Sequence, residues 1–286
     1  MRWEGNRESD NVEDRRGGGG GFGFGGRSIG LGTIVIALVA SFLFGVNPLT
    51  VIDMMSGGQV APVQQTQNGT PANDTETRFV RTVLADTEDT WTELFRAEGA
   101  RYAPPTLVLF AGRTPTACGT GQSATGPFYC PADQKVYLDL SFFQLMRDRF
   151  RVDSEFAQAY VIAHEVGHHI QHLTGVDEKA QQARSRMSQA QANALSVRVE
   201  LQADCYAGVW AHHANQARGI IEQGDVEGAL RAATAIGDDA LQRQSQGHVV
   251  PDSFTHGTSA QRSRWFSRGL QSGRLEDCNT FAARQL

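Results

Sequence analysis

Residues 164–168 read His-Glu-Val-Gly-His, and their types and spacing suit them to hydrolysis at a metal ion. Side chains four apart in a helix project from one face, a single turn from each other. His164 and His168 can therefore aim two imidazole nitrogens at one zinc ion, with bonds of about 2.0–2.1 Å. Glu165 directly follows the first histidine and so lies beside the ion, where it can reach a water as general base. Two helix-surface histidines without a metal would leave the same five letters, so the surroundings decide.

Those surroundings must first supply a helix. Phe156, Tyr160 and Ala163 recur at intervals of four and three before the motif. Ile170 and Leu173 continue the apolar pattern after it, and Gly175 is placed to end it. The pattern predicts a helix over residues 153–173. An open zinc site takes three protein ligands, so one is missing. His172 extends the series, but two turns of helix put it about 12 Å from His164, too far to share an ion. The metzincin arrangement needs Gly and His where this chain has Gln171 and Thr174. His169, one residue past the ligand face, reads as structural.

A second helix, predicted over residues 188–214, offers the third ligand. Glu200 and Asp204 stand one turn apart on it, among Leu201, Ala203 and Trp210. Carboxylates on an apolar helix stretch are costly to bury without partners. Zinc for Glu200 and the outer N–H of a ligand imidazole for Asp204 would satisfy both. The competing reading is a solvated Glu/Asp pair.

Together with the first motif, Glu200-Leu201-Gln202-Ala203-Asp204 resembles the glutamate-zincin pattern, in which a second helix gives a glutamate ligand and an aspartate one turn later. Further stretches are Met1-Arg2-Trp3-Glu4-Gly5, Asn11-Val12-Glu13-Asp14-Arg15-Arg16-Gly17, Gly126-Pro127-Phe128-Tyr129-Cys130-Pro131 and the run from Phe254 to Arg262. These resemble the bacterial family described as putative neutral zinc metallopeptidases, from the first residue nearly to the last, with only the linker unmatched. The resemblance implies His164, His168 and Glu200 as zinc ligands and Glu165 as catalytic base. It also implies a zincin-like α+β fold, mainly helical, with a small sheet beside the active-site helix. Pro127 to Leu140 reads as two short strands around a Pro-Ala-Asp-Gln turn, and 106–110 as a third. An exposed edge of that sheet would pair with an extended peptide. Phe79, Trp91, Phe95 and Trp265 read as core.

The 286-residue chain is long enough for an anchor, a linker and one enzyme-sized domain. Ile29 to Val46 carries no charge over 18 residues, near the lower limit for crossing a bilayer, and the weakly polar continuation to Ile52 adds length. A cleaved signal peptide would have a shorter apolar core and an A-x-A-like site. Arg2, Arg7, Arg15, Arg16 and Arg27 precede the run, and the next basic residue is Arg78. The positive-inside rule then predicts a cytoplasmic Gly-rich tail (1–28), one transmembrane signal anchor (29–52), a flexible linker (53–76) and an extracytoplasmic catalytic domain (77–286) in the cell membrane. The formal charge of −5 and the shortness of the Gly17–Gly26 tract set nucleic acid aside as a partner.

Four cysteines allow three pairings, and an oxidising compartment favours two disulfides. Cys118–Cys130 would close a short loop; Cys205–Cys278 would then staple the glutamate-bearing helix to the C-terminal tail. The expected function is a membrane-anchored zinc endopeptidase acting on a peptide or protein, with Glu165 passing a proton from water to the leaving amine. The oxyanion needs a further donor, for which His256 and Arg262 are candidates. The alternatives are a zinc amidase acting on a non-peptide or cell-wall amide, and an inactive zinc-stabilised scaffold, against which Glu165 argues.

Overall fold

Three helices position the chemistry in a computed structural model that describes residues 1–16 and 74–286. The expected anchor at 29–52, the Gly17–Gly26 tract and the linker up to residue 73 lie outside the described residues. Among the described residues no helix is long and apolar enough to cross a membrane.

In chain order the main elements are β1 (Val12–Asp14), α1 (Thr75–Ala97), β2 (Thr106–Leu109), β3 (Arg113–Thr116), β4 (Gly119–Gln122), β5 (Phe128–Cys130) and β6 (Lys135–Leu138). They continue with α2 (Ser141–Asp148), α3 (Glu155–Leu173), α4 (Val176–Arg184), α5 (Gln189–Arg218), α6 (Asp225–Ala235), α7 (Asp238–Gln246) and α8 (Ser259–Ser272). The fold is α+β and mainly helical, as expected.

Local signals delimit the three central helices. Ser154 caps α3 by accepting from the Ala157 amide, and Gly175 leaves its far end at φ 72°. Capping boxes of Ser188 with Gln191 and of Thr258 with Gln261 start α5 and α8. Helix α5 packs on α3 and on α8. The approach is close enough to require glycine. A Cβ on Gly208 would meet the Phe266 carbonyl oxygen at 2.2 Å, and one on Gly269 the Cys205 carbonyl oxygen at 2.0 Å. Gly167, inside the histidine motif, would meet the Ala203 carbonyl oxygen at 3.0 Å. Phe156 stacks on Trp210 and Tyr160 meets Phe266 edge-on, filling the space between these helices.

The sheet runs β1-β2-β6-β5, with β1, β2 and β6 parallel and β5 antiparallel to β6. β5 and β6 flank the expected Pro131–Gln134 turn, and β3 and β4 form a separate hairpin. The β5 edge lies against α3, where the Tyr129 hydroxyl is 2.9 Å from His169 Nδ1. Both expected disulfides form, Cys118–Cys130 and Cys205–Cys278.

The expected separation of residues 1–28 from the domain does not hold for residues 1–16. They cluster with the rest of the described chain, so the domain begins at the N-terminal segment and not at residue 77. Trp3 is buried against Phe79, ring centroids 5.4 Å apart. β1 pairs with β2 in the register Val12↔Leu107 to Asp14↔Leu109. Buried Glu88 accepts from Ser9 Oγ at 2.6 Å and Asn11 Nδ2 at 2.7 Å. Four of the arginines that precede the apolar run have carboxylate partners here: Arg2 with Glu222, Arg7 with Glu88 and Asp89, Arg15 with Glu13, and Arg16 with Asp14 and Asp74.

Candidate metal centre

Helices α3 and α5 bring His164, His168 and Glu200 together, with one ligand atom from each lying within 4.8 Å of the others. Glu200 Oε2 is 3.3 Å from His164 Nε2, and Glu200 Oε1 is 3.6 Å from His168 Nε2. The close packing at Gly167 and Ala203 sets the helix separation that makes this possible.

The outer nitrogen of each histidine is fixed by a different device. His164 Nδ1 lies 2.9 Å from Asp204 Oδ1, and an ionised carboxylate can only accept, so Nδ1 carries the proton. Asp204 is fully buried and also accepts from the Tyr160 hydroxyl at 2.5 Å and from Arg262 Nε and Nη2, each at 2.9 Å. His168 Nδ1 lies 2.9 Å from Gln171 Oε1. The Gln171 amide nitrogen donates to the Val199 carbonyl and to Gln202 Oε1, which turns its oxygen toward His168 and assigns the proton to Nδ1 again.

Both Nε2 atoms therefore present lone pairs toward a carboxylate that also offers only lone pairs. Such an arrangement needs a proton or a cation between its members. The titration directions agree. Burial pushes His164 down, but Asp204 and Glu200 outweigh it and lift the imidazole to about 10. Burial likewise opposes ionisation of Glu200, yet His168 and His164 hold its carboxyl well below the usual range. Two imidazoles and one carboxylate with an open side form the donor set of a catalytic zinc site. The residues fit that ion.

The centre opens into a cleft of about 630 Å³. Glu165, 7% exposed, lines it beside the ligands. Phe128 and Tyr129 of the β5 edge form one wall, with Leu241 and His256 elsewhere in the lining. His256 has a half-exposed ring, and its Nδ1 is 3.2 Å from Asp238 Oδ1. The other Asp238 oxygen accepts from the backbone amides of Thr255, His256 and Gly257. The hydrogen bond to Asp238 raises the His256 pKa against the opposing effect of burial. Arg262 also lines the cleft, but the residue is buried and its guanidinium is engaged with Asp204.

Of the other histidines, His169 is fully buried, between Tyr129 and the Ala103 carbonyl, and His172 pairs with Asp177. Sequence reasoning missed Tyr160, Gln171 and Asp238. Tyr160 stands four residues before His164 and Gln171 three after His168, spacings that put each on the ligand face and were readable as such. Asp238 has no local signal, because only the fold brings it to His256.

Comparison with known proteins adds a family and two sets of relatives. The model of a family described as "Putative neutral zinc metallopeptidase" matches residues 1–281. The chain is 52% identical over 288 residues to the Escherichia coli K12 protein named "Uncharacterized protein YpfJ", covering 98% of this chain and 99% of that one. It is 40% identical over 263 residues to the Mycobacterium tuberculosis H37Rv protein named "Uncharacterized protein Rv2575", covering 86% of each. No solved structure matches the chain.

Proposed function

The chain belongs to the putative neutral zinc metallopeptidase family, and on that premise we propose that it is a zinc-dependent endopeptidase with Glu165 as its general base. The convergence of His164 Nε2, His168 Nε2 and the Glu200 carboxylate beside a buried Glu165 carries this reading. Zinc held by those three residues supplies Lewis acidity toward a carbonyl and a water acidic near neutral pH.

The chain's own residues do the rest. Glu165 accepts the proton of the attacking water and returns it to the leaving amine. His256, whose pKa Asp238 raises, lines the cleft as a donor to the developing oxyanion. Arg262 and Tyr160 act one step back, holding Asp204 so that His164 keeps its orientation. β5 is an edge strand on the cleft, so an extended substrate adds to it through backbone hydrogen bonds. A cleft of about 630 Å³ admits several residues of such a strand, which favours cleavage within a chain. Membrane attachment through residues 29–52 and an oxidising location of the domain belong to the same proposal, supported by the uncharged run and the two disulfides.

The test is Glu165→Gln with bound zinc quantified. Turnover of a peptide library should vanish while one zinc per chain remains. Undiminished cleavage ends the proposal.

A further inference from the structure

The exit and re-entry points of residues 17–73 lie side by side. Arg16 lies two residues beyond β1 and Asp74 caps α1, yet Arg16 Nη2 is 3.3 Å from Asp74 Oδ2. The same guanidinium bonds Asp14 Oδ2 and Thr77 Oγ1, each at 2.6 Å. The two stems are thus clamped by one arginine.

The clamp is the end of a longer attachment. β1 is an outer strand of the sheet, hydrogen-bonded to β2 in parallel, with the Leu107 amide donating to Asn11 and the Arg15 amide to Leu109. Beyond it, Glu8 pairs with Arg78 and Arg81 on α1. Buried Trp3 and buried Glu88 complete the attachment on the same helix. Without residues 1–16, the β2 edge would lose its ladder partner and Glu88 its donors.

A chain that crosses a bilayer once leaves its two ends on opposite faces, separated by about 30 Å of hydrocarbon. Residues 1–16 cannot then pair with β2. We infer that residues 1–16 and the catalytic domain lie on the same side of the membrane, an inference that rests on the membrane attachment proposed above. The arginine asymmetry that pointed to a cytoplasmic N-terminus is accounted for by ion pairing. Arg2, Arg7, Arg15 and Arg16 meet carboxylates within the fold, leaving Arg27 as the flanking basic residue not assigned to it.

The experiment uses the full-length chain in the membranes of intact expressing cells and does not depend on turnover. Asp10, fully exposed in the N-terminal segment, and Glu98, exposed after α1, are replaced singly in the D10C and E98C variants. Each variant is treated with a membrane-impermeant maleimide before and after inner-membrane lysis. The expected result is equal modification of both before lysis, since the disulfides favour an oxidising side; protection of both until lysis would equally place them on one side. Modification of one with protection of the other overturns the inference. Hydrogen exchange on the unsubstituted full chain, still embedded, gives a second reading. The Arg15 amide should be slowed as the Leu107 amide is, and exchange at the rate of unstructured chain would also overturn it.

Discussion

Arg262 grips Asp204 with two nitrogens, Nε to Oδ2 and Nη2 to Oδ1, each at 2.9 Å, and neither side chain reaches solvent appreciably. This pair joins α8 to the metal-bearing helix α5. Removing one partner of a buried ion pair strands the other charge, at a cost of about 3–5 kcal/mol. Arg262→Met should therefore lose roughly that much stability in urea denaturation, and zinc should dissociate more readily. Arg262→Lys should recover only part of it, because an ammonium cannot match the two-point fork.

Asp204→Asn tests the orientation of His164 directly. The amide can still accept from Nδ1, but it no longer stabilises positive charge on the ring. Zinc affinity should fall about 10–100-fold, measured by competition against a chelator. Tyr160→Phe removes one of the donors to Asp204 and should act in the same direction more weakly.

His169 gives the fold an acid sensitivity separate from zinc. Burial lowers its pKa to about 4. Its Nε2 donates to the Ala103 carbonyl and its Nδ1 accepts from Tyr129, so the neutral ring is the one that fits. Between the ordinary value near 6.5 and 4, the unfolded chain takes up a proton that the folded chain refuses. Stability must therefore fall as pH drops through that window, by up to about 3 kcal/mol from this residue. Urea midpoints from pH 7 to pH 4 should decline more steeply for the native sequence than for His169→Gln.

The Asp238–His256 pair should shape the alkaline side of the rate profile. Asp238 raises the His256 pKa, so the charged donor persists to higher pH. In Asp238→Asn that support is gone, and the alkaline limb of kcat/KM should move to lower pH. An NMR titration of the ring should show the same displacement. An unchanged titration would remove His256 from the proposed donor role.

Gly208→Ala and Gly269→Ala each place a methyl group against main chain of the facing helix. Main chain cannot rotate aside as a side chain can, so the helices must separate. A loss of about 1–3 kcal/mol or more is expected from overpacking, readable as a lowered Tm. Separation of α5 from α8 also draws Arg262 from Asp204, so zinc affinity should fall in parallel.

The sequence made the centre legible where spacing within one helix carried the information. His164, Glu165 and His168, then Glu200 and Asp204, each form a one-turn pattern, and the expected bounds of both helices, 153–173 and 188–214, lie within a few positions of those observed. The β5–β6 hairpin followed from its turn residues, and the Cys118–Cys130 loop from its shortness, with Cys205–Cys278 as the pair then left over. What escaped was non-local. β1 is three residues long, pairs in parallel with a strand more than ninety positions away, and its Val-Glu-Asp sequence shows no alternation by which to recognise it. Asp238 and the Arg262–Asp204 contact are likewise products of tertiary placement. The carboxylates that meet Arg2 and Arg7, Glu222 with Glu88 and Asp89, are likewise brought to the N-terminal segment by the fold.

Cys205 follows Asp204 directly, and its bond to Cys278 carries a consequence for handling the protein. In buffer containing a strong dithiol, opening that bond would free α5 from the tail one residue beyond the carboxylate that steadies His164. It would also release two sulfurs, softer donors than imidazole and well able to draw zinc off its intended site. The oxidation state of the surroundings and the occupancy of the metal are thus linked through a single covalent neighbour.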